Sequence, residues 1–122
     1  MSGIDFIADT NILFYLLSGN KHVEPYKGSQ LGISIITEIE MLGWYHISNE
    51  EEEIIKGLMN ELTIFPLNDR IKELTIQLKQ EHRIKIPDAI IGATSQWFNS
   101  PLLTADKDFR NIDGLNAIIL DF

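Results

Sequence analysis

There is no cysteine in this chain, which excludes a disulfide framework and any thiolate-ligated metal or cluster. Positive charge is scarce: ten Lys and Arg stand against eighteen Asp and Glu, for a formal charge of -8. Surfaces that grip duplexes or RNA usually cluster Lys and Arg, so a broad basic footprint is not available. A site built of carboxylates remains possible, because a seated divalent cation inverts the local field. No apolar run approaches the ~18 residues of a membrane span, and Met1-Ser2-Gly3 does not open a basic segment followed by an apolar core. The expectation is a cytoplasmic protein with no membrane partner. Paired histidines are absent too, so His22 reads as a solvated loop residue rather than a metal ligand.

What is present is an alternation of apolar runs and helical patterns over 122 residues, 44% of them hydrophobic. That length suits one domain, residues 1–122, with a continuous core and no linker. Strand-like runs at about Ile4 to Ala8, Leu31 to Ile36, Leu62 to Leu67, Leu102 to Thr104 and Asn116 to Leu120 alternate with helix-like segments. This is the pattern of βαβ units and an α/β fold with a mostly parallel five-stranded sheet. Ile12, Leu13, Leu16 and Leu17 recur at helical spacing until Ser18-Gly19-Asn20 breaks the pattern, and 21–30 reads as a loop. A second helix opens at Thr37, and Ser48 with Glu51 forms a capping-box pattern for a third. Asn68 or Asp69 caps a fourth, whose inner face carries Ile71, Leu74 and Leu78. Pro87 suits the first position of a fifth. That helix is apolar nearly all round, through Ala89, Ile90, Ile91, Gly92, Ala93 and Trp97, and is expected to be the buried central one.

Asp9 ends the first strand, at the edge where open parallel sheets place ligands and catalytic groups. Glu40, Asp88 and Asp106 each fall just past a strand or in the first turn of a helix, near the same edge. Singly, each has a structural explanation. Asp9 can cap the helix that follows, Thr37-x-x-Glu40 fits a capping box, Asp88 suits the dipole behind Pro87, and Asp106 can cap the turn carrying Phe109. Converging in one crevice, four carboxylates would raise one another's pKa until a cation neutralised them. Oxygen-only ligation suits a hard divalent cation, one or two Mg²⁺ or Mn²⁺ ions, and phosphodiester hydrolysis is the reaction that fits best. Gly92 and Ser95 share the Asp88 face and, being small, would leave room for ions and a phosphate. Thr37 and Trp44 share the Glu40 face, so Glu40 rather than Glu38 is the expected ligand. On this view Asp9→Asn relieves repulsion and preserves or raises metal-free stability.

Four segments resemble a known family, the PIN domain nucleases, and in particular the compact VapC-type toxins of type II toxin–antitoxin modules. They are Ala8-Asp9-Thr10-Asn11-Ile12-Leu13, Ser34-Ile35-Ile36-Thr37-Glu38-Ile39-Glu40-Met41-Leu42-Gly43, Pro87-Asp88-Ala89-Ile90-Ile91-Gly92-Ala93 and Leu103-Thr104-Ala105-Asp106-Lys107-Asp108-Phe109. The resemblance covers the whole chain. It implies a three-layer PIN-like fold and a metal-dependent ribonuclease leaving a 5′-phosphate and a 3′-hydroxyl. Asp9, Glu40, Asp88 and Asp106 then hold the ions, with Asp108 as the rival to Asp106. Thr10, Asn11 and Thr104 match positions that orient the acids. An RNA substrate, a homodimer and an inhibitory antitoxin are the implied partners. Cations for gripping RNA are few, with Lys107 and Arg110 nearest the acids.

The acidic charge also admits a different reading, a PIN-fold module that binds protein or RNA with little or no catalysis. A phosphorelay receiver is a poor fit, because Asn68-Asp69 does not match a phosphoacceptor after the third strand and no Lys follows the fifth. A haloacid-type phosphatase wants Asp-x-Asp after the first strand, and Asp9-Thr10-Asn11 lacks it.

Overall fold

The computed structural model describes residues 3–121; Met1 and Ser2, part of the segment read for a leader, and Phe122 lie outside them. In chain order the elements are β1 (Phe6–Ala8), α1 (Thr10–Leu17), β2 (Leu31–Ser34), α2 (Ile35–Leu42), α3 (Asn49–Met59), β3 (Thr63–Phe65), α4 (Asp69–Glu81), α5 (Ile86–Phe98), β4 (Leu102–Thr104) and β5 (Ala117–Ile119). The strands form one sheet of order β3-β2-β1-β4-β5, and all four pairings are parallel. From β1 the chain steps outward to β2 and β3, then returns across the sheet to lay β4 on the other side of β1. The direction of winding therefore reverses between β1 and β4. Open α/β sheets have their crevice at such a switch point, beyond the carboxyl ends of the strands.

Side-chain alternation makes the sheet two-faced. Ile7 and Leu102 belong to the core shared with Ile71 and Leu78 of α4 and with Ala89, Ile90, Ile91 and Ala93 of α5. Their neighbours Ala8 and Leu103 face the opposite way, into a core with Ile12 and Leu13 of α1, Met41 of α2, and Ile55 and Met59 of α3. Helices thus cover both faces, giving the expected three layers. Gly32 of β2 is dictated by packing: a Cβ there would sit 2.6 Å from the Phe65 ring.

Helix starts follow local capping chemistry. Asp9, Ser34, Ser48 and Asn68 each accept a backbone N–H from the helix they precede. The Ser48–Glu51 capping box forms in both directions, at 3.0 Å each. One expectation fails here with consequence for the site. Thr37 does not begin α2; Ser34 caps it, its hydroxyl accepting Ile36 N at 3.1 Å, and Ile35 and Ile36 are helical rather than strand. Other departures are smaller. Every strand except β4 is shorter than its apolar run, the 21–30 loop contains a single 3₁₀ turn at Glu24–Tyr26, and α5 starts at Ile86, one residue before Pro87. Trp97 is 41% exposed and not part of the buried face, which ends at Ser95.

Candidate active site

Asp9 leaves the sheet at the end of β1, the central strand. Register places Ala8 beside Leu103 of β4, so Asp9 comes level with Thr104 across the switch point. Asp9 is 5% exposed, and both of its carboxylate oxygens accept hydrogen bonds. Oδ1 accepts from Thr10 N at 2.8 Å, and Oδ2 accepts from the Thr104 hydroxyl at 2.6 Å and from Asn11 Nδ2 at 3.2 Å. These donors are themselves held. Asn11 Oδ1 accepts Ala105 N at 3.1 Å, and Thr104 Oγ1 accepts Asp106 N at 3.0 Å. Thr104 therefore ties the first acid to the fourth: one hydroxyl donates to Asp9 and receives from the backbone of Asp106.

Glu40 reaches the same place from α2. Because the helix begins at Ile35, Glu40 sits in its second turn and cannot act in an N-terminal capping box. Its Oε1 instead accepts from the Thr10 hydroxyl at 2.7 Å, across 30 residues. Thr10 thus bridges the two acids, its N–H on Asp9 and its O–H on Glu40. Asp106 caps the short turn at Lys107–Phe109 through Asp108 N, at 2.9 Å. Asp88, in the first turn of α5, joins through the field.

The electrostatics tie all four together. Burial pushes the Asp9 carboxyl above its ordinary range, partly offset by the bonds from Thr104 and Thr10, while Asp106 and Glu40 raise it further. Asp88 is pushed up to about 6, first by partial burial and then by the charges of Asp9, Asp106 and Glu40; Lys85 works the other way. Asp108 is exposed and is not among the charges acting on either group, which separates it from Asp106. Lys107 lies 3.9 Å from Asp121.

Oxygen donors carrying several negative charges against one opposing Lys suit a hard divalent cation, and offer nothing to a soft one. Among the described residues, no three Asp, Glu or His side chains are gathered tightly enough to hold one ion as they lie. The acids share a field without forming a finished ligand shell. A groove of about 440 Å³, lined by Thr10, Phe14, Glu40 and Trp44, opens beside Glu40.

Two sequence expectations do not survive. Gly92 does not leave room for ions: it faces the core, where a Cβ would meet Leu78, Leu115 and Phe109 at ordinary contact distances of 3.5 to 3.8 Å. Ser95 is buried and donates to the Ser100 carbonyl. One residue went unrecognised. Thr37, read as a cap, is fully buried, with its hydroxyl 3.1 Å from that of Thr10. Its i,i+3 spacing already put it on the Glu40 face, but nothing along the chain pairs it with Thr10, 27 residues away.

Residues 6–115 match the model of the PIN domain family. The structure is similar to a chain of a toxin–antitoxin complex from Klebsiella pneumoniae, with 33% identity, TM-score 0.79, and 93% of this chain and 95% of that one covered. It is also similar to a chain of DNA-bound VapBC from Salmonella typhimurium, with 19% identity, TM-score 0.83, and 95% and 98% covered. VapBC-1 from nontypeable Haemophilus influenzae is a third, with 23% identity, TM-score 0.78, and 93% and 96% covered. No curated protein matches the sequence.

Proposed function

This chain belongs to the PIN domain family, and on that premise we propose that it is a metal-dependent endoribonuclease, the toxin of a toxin–antitoxin module. What supports the reading is that Thr10 links Asp9 to Glu40 and Thr104 links Asp9 to Asp106 beyond the central strand of the sheet, while the charges of Asp9, Asp106 and Glu40 raise Asp88. The likeness to a chain of a toxin–antitoxin complex at 33% identity supports the biological role.

Asp9, Glu40, Asp88 and Asp106 would hold one or two Mg²⁺ or Mn²⁺ ions. When bound, such an ion polarises the phosphodiester and the attacking water and stabilises the departing oxygen. The chain's own residues do the positioning. Thr104, Asn11 and the Thr10 amide hold Asp9 in one orientation, and the Thr10 hydroxyl holds Glu40. Asp88, at about 6, is the acid that can carry a proton near neutrality before the charge is neutralised. Water adds to phosphorus, the bond to the 3′ oxygen breaks, and that oxygen takes a proton, leaving a 5′-phosphate and a 3′-hydroxyl. The inhibitor is an antitoxin protein, the working form a homodimer, the compartment the cytoplasm, and residues 1–122 one domain.

Cleavage of a single-stranded RNA by the purified protein with Mn²⁺, lost in Asp9→Asn and in EDTA, is the test. Equal cleavage by the Asn variant would remove Asp9 from the mechanism. The rival reading, a PIN-fold protein-interaction or RNA-binding module with little or no catalysis, draws on the acidic charge and the scarcity of Lys and Arg. It predicts no Mn²⁺ binding at millimolar concentration.

A further inference from the structure

Thr37, Thr75 and Thr94 are buried threonines inside helices. A helical hydroxyl cut off from water commonly satisfies itself on the carbonyl four residues earlier. Thr75 and Thr94 do so, at 2.7 Å from the Ile71 carbonyl and 2.8 Å from the Ile90 carbonyl. Thr37 departs from the pattern. Its Oγ1 is directed across 27 residues to the Thr10 hydroxyl, 3.1 Å away. Thr10 stands 2.7 Å from Glu40 Oε1.

A hydroxyl has one proton and two acceptor positions. Thr10 cannot donate both to Glu40 and to Thr37, and the shorter bond, to a carboxylate, claims its proton because charge-assisted bonds are the stronger. The Thr37 proton must then point at Thr10 for the pair to be satisfied. Glu40 gains most from such an arrangement. It is an exposed side chain on a helix surface, where an untethered Glu is free to change rotamer.

We propose that Thr37 is a positioning residue: its buried hydroxyl donates to Thr10, commits the Thr10 proton to Glu40 Oε1, and so holds the Glu40 carboxylate ready for the ion. The consequence for ion binding rests on the proposed metal site; the direction of the hydroxyl bond does not. Hydroxyls buried on opposite flanks then work in the same way, Thr104 on Asp9 directly and Thr37 on Glu40 through one intermediary.

The test compares Thr37→Ser, which keeps the hydroxyl, with Thr37→Val, which keeps the shape. Mn²⁺ affinity is measured by calorimetry, and thermal unfolding in EDTA reports whether each variant is folded. Removing a partner behind a metal ligand typically lowers affinity 10–100-fold. Acting one step further back, Thr37→Val should lose roughly 3- to 10-fold while Thr37→Ser stays within about twofold. In a Thr10→Val background, Thr37→Val should add no further loss, because the connection is already cut. Equal affinity for Val and wild type, equal losses for Ser and Val, or a full additional loss behind Thr10→Val each overturns the proposal. A metal-free readout stands beside it. The Thr37 hydroxyl proton should exchange slowly in NMR spectra and show a cross-peak to Thr10. A cross-peak to Ile33 or Ser34 instead would overturn the proposal whatever the metal does. Wild-type protein that binds no Mn²⁺ but shows the Thr10 cross-peak would overturn the nuclease reading and leave the hydroxyl geometry standing.

Discussion

Replacing Asp88 with Asn should stabilise the metal-free protein at neutral pH and do little for it at pH 4. The folded-state value of about 6 lies above the ordinary 3.8. Below about pH 4 the carboxyl is protonated folded or unfolded, and no energy is at stake. As pH rises from 4 to 6 the unfolded chain ionises while the native protein resists, so native stability falls. Above 6 the penalty is complete. Two pKa units correspond to about 3 kcal/mol, which partial exposure and screening cut to roughly 1–1.5. The α5 dipole favours an ionised Asp88 by about 0.3–1 kcal/mol and opposes the gain, so a net of roughly 0.6 kcal/mol is expected. For a chain of 122 residues that is about 2–3 °C in Tm. Urea unfolding in EDTA at pH 7.5 and pH 4 measures it. Adding Mn²⁺ should then raise wild type more than the variant, since an ion that binds only the native state stabilises by mass action. A gain of the same size at both pH values would refute the reasoning, because Asn would then be acting through packing or propensity. Asp88 is a better choice than Asp9 for this purpose. Asn at position 9 would turn an NH₂ toward the Asn11 amide and the Thr104 hydroxyl, both donors to Oδ2, so repulsion relieved there is offset by bonds lost.

Thr104→Val removes a buried hydroxyl bonded to a carboxylate and leaves Asp106 N without its acceptor; a loss of about 1.5–3 kcal/mol in urea unfolding is expected, with the Asp9 carboxyl rising further in an NMR titration. Gly32→Ala places a Cβ 2.6 Å from the Phe65 ring and should cost about 1–3 kcal/mol through overpacking; a neutral result by thermal unfolding would show that β3 can shift. Ser48→Ala removes the hydroxyl that accepts Glu51 N and leaves the other half of the α3 capping box, Ser48 N to the Glu51 carboxylate, in place; about 1 kcal/mol of stability should go with it, without change in Mn²⁺ affinity.

Most of the architecture was legible because apolar runs and capping residues agree with one another along the chain. What escaped has local physical causes. Ile35-Ile36 reads as strand by β-branching, but Ser34 offers its hydroxyl to Ile36 N first and starts α2 early. That shift takes Glu40 out of the first turn, removes its structural explanation, and frees Thr37 to face Thr10. Trp97 looked buried because neighbours along α5 are apolar all round, yet it lies beyond the last covered turn. Gly92 was ambiguous in principle: smallness fits both a ligand cavity and a close helix contact, and only Leu78, Leu115 and Phe109 decide between them. Among the acids, position along the chain pointed to the right edge of the sheet, while the threonines that connect them are separated from their partners by tens of residues.

The reversal of winding between β1 and β4 has a consequence for how the protein comes into being. The hydroxyl that holds Asp9 belongs to Thr104, 95 residues later in the chain, and Asp106 follows only then. Such distant pairings form late, after the cost of closing a long loop has been met. A nascent chain, which folds from its N-terminus as it emerges, therefore carries the four acids unassembled until β4 and Asp106 have been made.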